Sequence, residues 1–237
     1  MINNQIKSKS NPIYKEFLDV KKSSSKSNLV LLEGEDLVNL AKDKKCLLKT
    51  CSYEEVDYGV KNFIFSNELL RELSSFKSLP KVIGIAFYKL SDDVKGERII
   101  YLDGVQDPGN LGTIERSALA FNYKDIVLSS DCVSPFNYKA VSASKGAFLD
   151  LNISYTSLQS LKEKGYKLYM GLLDGKEVTQ IDKPNGKFVI VVGSEGQGIK
   201  KENRLLADEK VYLPINREIE SLNVGIAASI LMFIWRE

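Results

Sequence analysis

FVIVVGSEGQGI, Phe188 to Ile199, decides the fold: five consecutive apolar residues run straight into three glycines within six positions. An apolar run without polar alternation is a strand covered on both faces, the usual state of a strand in a parallel sheet. The same unit recurs on either side. ERIIYLD (97–103), DIVLSS (125–130), KLYMGLLD (167–174) and KVYLPI (210–215) read as strands. TIERSALAFN (113–122), most of PFNYKAVSASKGAF (135–148), GIKKENRLLA (198–207) and SLNVGIAASILMFIWRE (221–237) read as helices. Strands alternating with helices imply an α/β fold with a mainly parallel sheet, whose ligands gather at the carboxyl ends of the strands.

Residues 1–92 repeat the alternation on a smaller scale. NPIYKEFLDVKK (11–22), EDLVNLAKDKK (35–45) and ELLRELSSF (68–76) have helical spacing; NLVLLEG (28–34), KNFIFS (61–66) and KVIGIAFYKL (81–90) read as strands. The short polar segment SDDVKGE, Ser91 to Glu97, marks the boundary. Two domains are expected, 1–92 and 97–237, the first without a catalytic constellation.

Composition excludes several chemistries. The chain of 237 residues has no histidine, which removes the commonest general base, Ser-His and Cys-His nucleophiles and most catalytic zinc sites. Three cysteines, Cys46, Cys51 and Cys132, lack zinc-type spacing and suit a reducing cytoplasm. No signal peptide and no apolar run of membrane-spanning length is present, so neither a metal nor a membrane is expected. Although the net charge is +2, residues 1–90 hold 15 Lys and Arg against 11 Asp and Glu, and residues 91–237 hold 18 against 20. The front excess includes Lys21, Lys22 and Lys26, a pattern that fits either a solvated basic arm or contacts to a polyanion's phosphates.

Three loops carry the chemistry. In DPGNLGTIER (107–116), Pro108 and Gly109 enforce a turn, Asn110 is the expected helix N-cap, and Arg116 projects from the helix with a fork of donors suited to phosphate or ribose oxygens. A surface ion pair with Glu115 or a neighbouring acid is the structural alternative for that arginine. The GSEGQG loop (193–198) runs G-x-x-G-x-G, so it is neither a dinucleotide fingerprint nor a phosphate loop. It offers backbone donors around Glu195. The last segment places Ser221 and Asn223 at the start of a helix apolar around much of its circumference, which implies burial on several sides and a symmetric dimer.

In this order, DPGNLGTIER, VVGSEGQGI and SLNVGIAASILMFIWRE resemble the signature motifs of SpoU-type RNA ribose methyltransferases of the SPOUT superfamily, over residues 98–237. Residues 1–92, through NPIYKEF, KKSSSKS, NLVLLEGEDLV and ELLRELSSFKSLPKVIGIA, are similar to the ribosomal-protein-like RNA-binding domain that precedes it in rRNA enzymes. The resemblance implies a C-terminal trefoil knot and S-adenosyl-L-methionine held largely by main-chain groups, with contacts at Gly193, Leu213 and Leu222. It implies polar catalytic positions at Asn110, Arg116, Glu195, Ser221 and Asn223, and RNA contacts at Lys21, Lys22 and Lys26. Departures fall at Asn216-Arg217 and at Gly225, where the family often carries other residues. The implied activity is methyl transfer to a ribose 2′-hydroxyl of RNA, 23S-type ribosomal RNA first. A tRNA substrate, a drug-resistance role on the ribosome, and a non-catalytic RNA-binding or ribosome-assembly protein remain open alternatives.

Overall fold

The computed structural model describes residues 5–22, 28–216 and 218–236. The chain divides into two compact units, Met1–Lys89 with Ser134–Leu149, and Leu90–Val133 with Asp150–Glu237.

The first unit is built on a four-stranded mixed sheet. Its elements are α1 (Pro12–Lys22), β1 (Leu29–Glu33), α2 (Glu35–Asp43), β2 (Leu47–Ser52), β3 (Lys61–Ile64), α3 (Asn67–Leu73) and β4 (Val82–Phe87). The strand order is β1-β4-β2-β3, antiparallel except for the β2–β3 pair. Tyr14 and Phe17 of α1 meet Phe65, with ring centroids 5.9 and 5.6 Å apart, and Leu69, Leu70 and Leu73 of α3 close the same core. Buried Glu33 accepts bonds from Ser74 Oγ and from Ser75 N and Oγ, which fixes the turn after α3.

One segment departs from the linear division expected from the sequence. The PFNYKAVSASKGAF region, expected in the second domain, packs with the first unit. It forms a shorter helix than expected, α5 (Tyr138–Ser144), followed by a 3-10 turn. Phe136 and Phe148 of this segment flank Tyr88 at 6.1 and 5.2 Å between centroids.

The second unit has a six-stranded sheet of order β10-β8-β9-β5-β6-β7, parallel in every pair. Its strands are β5 (Arg98–Asp103), β6 (Asp125–Leu128), β7 (Asn152–Tyr155), β8 (Lys167–Glu177), β9 (Phe188–Gly193) and β10 (Glu209–Tyr212). Its helices are α4 (Pro108–Ala120), α6 (Leu158–Glu163), α7 (Lys201–Arg204) and α8 (Val224–Ile234). β5, β6 and β9 are almost wholly buried, as their unbroken apolar runs require. One sheet face carries Ile99, Val127, Met170, Val189 and Val191 against Leu158 and Leu161 of α6. α7 is a single turn, much shorter than its apolar spacing suggests.

α8 is apolar on more of its circumference than its own unit covers. Val224, Ala228, Leu231 and Met232 are buried, but Ile226, Ile230 and Phe233 leave an exposed apolar stripe at helical spacing, each at least 37% accessible. Among the described residues no helix is long and apolar enough to cross a membrane, and no group of His, Cys, Asp and Glu could hold a metal.

Candidate active site

Strand direction brings the three loops together. β5 and β9 are parallel neighbours with Asp103 paired to Gly193, so the loops that follow them leave the sheet side by side. α4 begins one loop beyond β5. Its N-cap is Asp107, whose carboxylate accepts the N–H of Asn110 at 2.9 Å; Asn110 itself lies in the first turn, which corrects the capping role expected for it. The exchange follows from Pro108, which occupies the first helical position and so makes the residue before it the cap. The Asn110 side chain is thereby freed to bond elsewhere.

That freedom is used. Asn110 Nδ2 donates to Glu195 Oε1, and Asn110 Oδ1 accepts from Asn223 Nδ2 at 2.9 Å. Asn223 in turn caps α8, its Oδ1 accepting the N–H groups of Gly225 and Ile226 at 2.9 and 3.2 Å. The amide orientations are fixed by the two ends of this chain. A helix N-terminus presents only donors and a carboxylate accepts, so both amides must point their oxygens toward α8 and their nitrogens toward Glu195. Residues 85 and 113 positions apart thus form one line of oriented dipoles.

Glu195 also belongs to the wall of a cavity of about 470 Å³. Gly193, Leu213, Ser221 and Leu222 line the same cavity, so all three expected cofactor positions and two of the five expected catalytic ones share it. Its walls are otherwise mainly apolar, with Leu172, Val211, Ile215 and Leu231 among them. Arg116 is apart from this group. It lies six residues beyond Asn110, about 9 Å along the helix axis. It is exposed, with no ion pair among the described residues, and Glu115 beside it is fully buried, so the surface pair between them is not formed. Arg116 shares the exposed face of α4 with Thr113, the residue that approaches Gly225 of α8.

The glycine loop is held from both sides. Ser194 and Gly198 exchange backbone hydrogen bonds of 3.2 and 2.9 Å, closing it into a tight hairpin. A Cβ on Gly193 would lie 2.0 Å from the carbonyl carbon of Gly198, so that position admits no side chain. Beneath the loop, buried Asp103 accepts the Lys200 N–H and Asn203 Nδ2, both at 2.9 Å. Lys200 Nζ bridges Asp103 at 3.2 Å and Asp131 at 2.6 Å. Burial alone would lower the Lys200 pKa, but the bonds to Asp131 and Asp103 outweigh it and the pKa rises. The Asp131 carboxyl is held below its usual range, first by Lys200 and then by Ser129. Arg204 completes the support, with Nε on Ile199 O at 2.7 Å and Nη2 on Gln197 O at 3.4 Å. Sequence reading missed these anchors: Asp103 showed only as a strand end, and nothing in the KKENR run distinguishes Lys200, Asn203 and Arg204 from ordinary surface residues.

The three lysines expected at RNA do not behave alike. Lys21 Nζ donates to Glu72 O at 3.2 Å and Ser74 O at 3.4 Å, and it lies 5.1 Å from the Tyr138 ring centre. Partial burial lowers its pKa, opposed by Glu33 and Glu72. This lysine caps α3 and is not presented as a free surface charge. Lys22 is exposed, and Lys26 lies outside the described residues.

The chain is similar to known proteins over both its sequence and its fold. Residues 97–233 match the SpoU rRNA Methylase family. The 23S rRNA (guanosine(2553)-2'-O)-methyltransferase RlmP of Bacillus subtilis is 28% identical over 97% of this chain and 98% of its own length. The 23S rRNA (guanosine-2'-O-)-methyltransferase RlmB of Xanthomonas campestris is 33% identical over 57% of this chain and 56% of its own. Among solved structures, the AdoMet-bound rRNA methyltransferase from Sinorhizobium meliloti superposes with a TM-score of 0.84, at 25% identity over 97% of this chain and 95% of that one.

Proposed function

Because the chain belongs to the SpoU rRNA methylase family, we propose that it moves a methyl group from S-adenosylmethionine to a ribose 2′-hydroxyl of 23S-type ribosomal RNA. The observation that carries this is the oriented chain Glu195–Asn110–Asn223, which starts at the wall of a cavity suited to the cofactor. The cavity's volume is that of a small-molecule site, and its apolar walls suit a purine and the methylenes of a methionine chain. Backbone groups around Gly193, Leu213 and Leu222 would supply the polar contacts. When bound, S-adenosylmethionine brings its own activated methyl on a sulfonium, so a protein without histidine needs no nucleophile of its own.

The remaining task is to orient a ribose and to relieve its oxygen of a proton. Each amide in the chain keeps one N–H not committed to its neighbour, and these donors, with the Ser221 hydroxyl, are proposed to position the ribose. Arg116 is assigned the stabilisation of charge developing on the 2′-oxygen. A guanidinium resists deprotonation, so the proton is assigned to water or to an RNA phosphate and not to Arg116.

The α8 stripe supports a homodimer. Ile226, Ile230 and Phe233 would be covered by the same helix of a second copy, and the Thr113–Arg116 face of α4 borders that seam. We further assign the first unit to RNA recognition, with Lys22 and Lys26 as phosphate contacts, the second unit to a trefoil-knotted catalytic domain, and the work to the cytoplasm. Mapping ribose methylation on total RNA from cells with and without the gene tests the activity: one 2′-O-methyl mark in 23S rRNA should vanish. Loss of a tRNA mark instead would overturn the substrate, and loss of none would overturn the function. In vitro, Arg116→Ala should abolish transfer while leaving cofactor affinity intact, and Lys should not restore it, because a point charge lacks the planar fork.

A further inference from the structure

Three charged side chains line the cavity: Asp174, Glu195 and Arg204. Two are already engaged. Glu195 accepts from Asn110, and Asp174 pairs with Lys210 Nζ at 2.7 Å. Arg204 has no carboxylate within ion-pair distance among the described residues. Its two hydrogen bonds, to Ile199 O and Gln197 O, are to neutral carbonyls.

A guanidinium has five N–H donors in a rigid plane, and these two bonds leave three of them uncommitted. The carbonyls also hold the plane in place, so the head group is oriented before anything binds. The Asp174 carboxyl is held below its usual range, first by Lys210, and Arg204 adds to the effect. The cavity therefore contains a preset cation with spare donors, and its two carboxylates are each engaged by another partner.

We propose that Arg204 binds the α-carboxylate of the methionine half of S-adenosylmethionine, and thereby sets which way the amino-acid tail lies in the cavity. The inference rests on the cofactor reading above. That carboxylate is the cofactor's one anionic group, and it presents two oxygens to a planar fork. The sulfonium and the ammonium are both repelled by the guanidinium, so the tail is favoured in one direction and disfavoured in the other. Arg204 is itself exposed, so an RNA phosphate is the competing anion, and cofactor analogues with and without the carboxylate distinguish the two.

Calorimetry on the full chain separates the cases, using S-adenosylhomocysteine and 5′-methylthioadenosine, which lacks the amino-acid portion. Arg204→Gln should weaken S-adenosylhomocysteine binding about 10- to 100-fold, as for loss of a charge-assisted bond. 5′-Methylthioadenosine should lose about 10-fold less affinity than S-adenosylhomocysteine, since loosening of the glycine loop weakens both ligands alike and the carboxylate contact belongs to one of them. An equal loss for both ligands would overturn the proposal and make Arg204 only a staple of the glycine loop. A raised KM for RNA with unchanged cofactor binding would also overturn it, in favour of a phosphate contact. Should Arg204→Gln fail to fold, the wild-type protein serves: decarboxylated S-adenosylmethionine should bind about 10-fold or more weaker than S-adenosylmethionine, and equal binding refutes the assignment. If wild type binds neither S-adenosylhomocysteine nor 5′-methylthioadenosine, the cofactor reading itself has failed.

Discussion

Replacing glycines in the loop one at a time should separate architecture from ligand contact, because the three positions stand in different surroundings. A Cβ at Gly193 would sit 2.0 Å from Gly198 C, 2.1 Å from Ile199 N and 2.4 Å from Gly198 O. All three are backbone atoms, so no side chain can rotate away. To reach even the 3.0 Å that real Cβ contacts observe as a floor, the two arms of the hairpin must part by about 1 Å. That would strain the Ser194–Gly198 bonds and shift Glu195 relative to Asn110. Overpacking of this kind costs about 1–3 kcal/mol, and the rigid partners place Gly193→Ala at the upper end. At Gly198 the obstacle is a backbone φ of +64°, where an alanine costs about 1 kcal/mol. Gly196 has no atom within 4 Å of where a Cβ would stand and no positive φ, so Gly196→Ala should leave stability unchanged. Urea unfolding should therefore rank the variants Gly193→Ala, Gly198→Ala, Gly196→Ala from least to most stable, and cofactor affinity should fall steeply only for the first. If Gly193→Ala matches Gly196→Ala in both stability and affinity, the tight hairpin is not what shapes the cavity.

Asp103→Ala strands the Lys200 N–H and the Asn203 amide, while the Lys200 ammonium keeps Asp131, and should cost about 1–3 kcal/mol in urea unfolding; a loss below about 0.5 kcal/mol would show that the anchor is not structural. Phe233→Glu or Ile230→Glu should yield monomers by light scattering, and a wild-type monomer at micromolar concentration would remove the reason for the stripe. Lys22→Gln should flatten the salt dependence of RNA binding by roughly one unit of slope, while Lys21→Gln should register in stability; the reverse pattern would refute their separation. The Asp131 pKa is depressed in the folded state, so its contribution is present above the unfolded value of about 3.9 and is lost as pH falls through the folded one. Asp131→Asn should flatten the acid limb of the stability–pH curve below about pH 4, and an unchanged limb would exclude Asp131 as a source of it.

Much of the parallel sheet was readable because burial on both faces leaves an unmistakable apolar run, as in β5 and β9. Two strands were missed for the opposite reason. β2 carries Lys49 and Thr50 in its middle, tolerated because Lys49 pairs with Glu16 and Thr50 bonds Asn62, partners set by the fold and not by neighbours in the sequence. β7 is four residues long and half polar, too short to establish a period. The placement of residues 134–149 was equally hidden. A segment 45 residues past Lys89 returns to the first unit, and neither its helical spacing nor its composition says which core it completes. One consequence is practical: deleting residues 1–89 would remove the elements that α5 packs on, so a truncation that appears clean in sequence exposes Tyr88's partners Phe136 and Phe148.

The site shows the same limit in sharper form. Motif reading picked out Asn110, Glu195 and Asn223 as separate polar positions, yet their chemistry lies in how each constrains the next. Asn223 must offer its oxygen to the first N–H groups of α8, which leaves its nitrogen for Asn110; Asn110 then has only its nitrogen to offer Glu195. Aspartate in place of Asn223 would still cap the helix but could not donate onward, and aspartate in place of Asn110 would set two carboxylates side by side. Neither isostere serves, although both conserve shape. The requirement for amides at these positions thus comes from donor and acceptor accounting around a helix end and a carboxylate, and Pro108 is what makes it possible. By occupying the first helical position it assigns capping to Asp107, and leaves the Asn110 amide free to join loops that the chain separates by more than eighty residues.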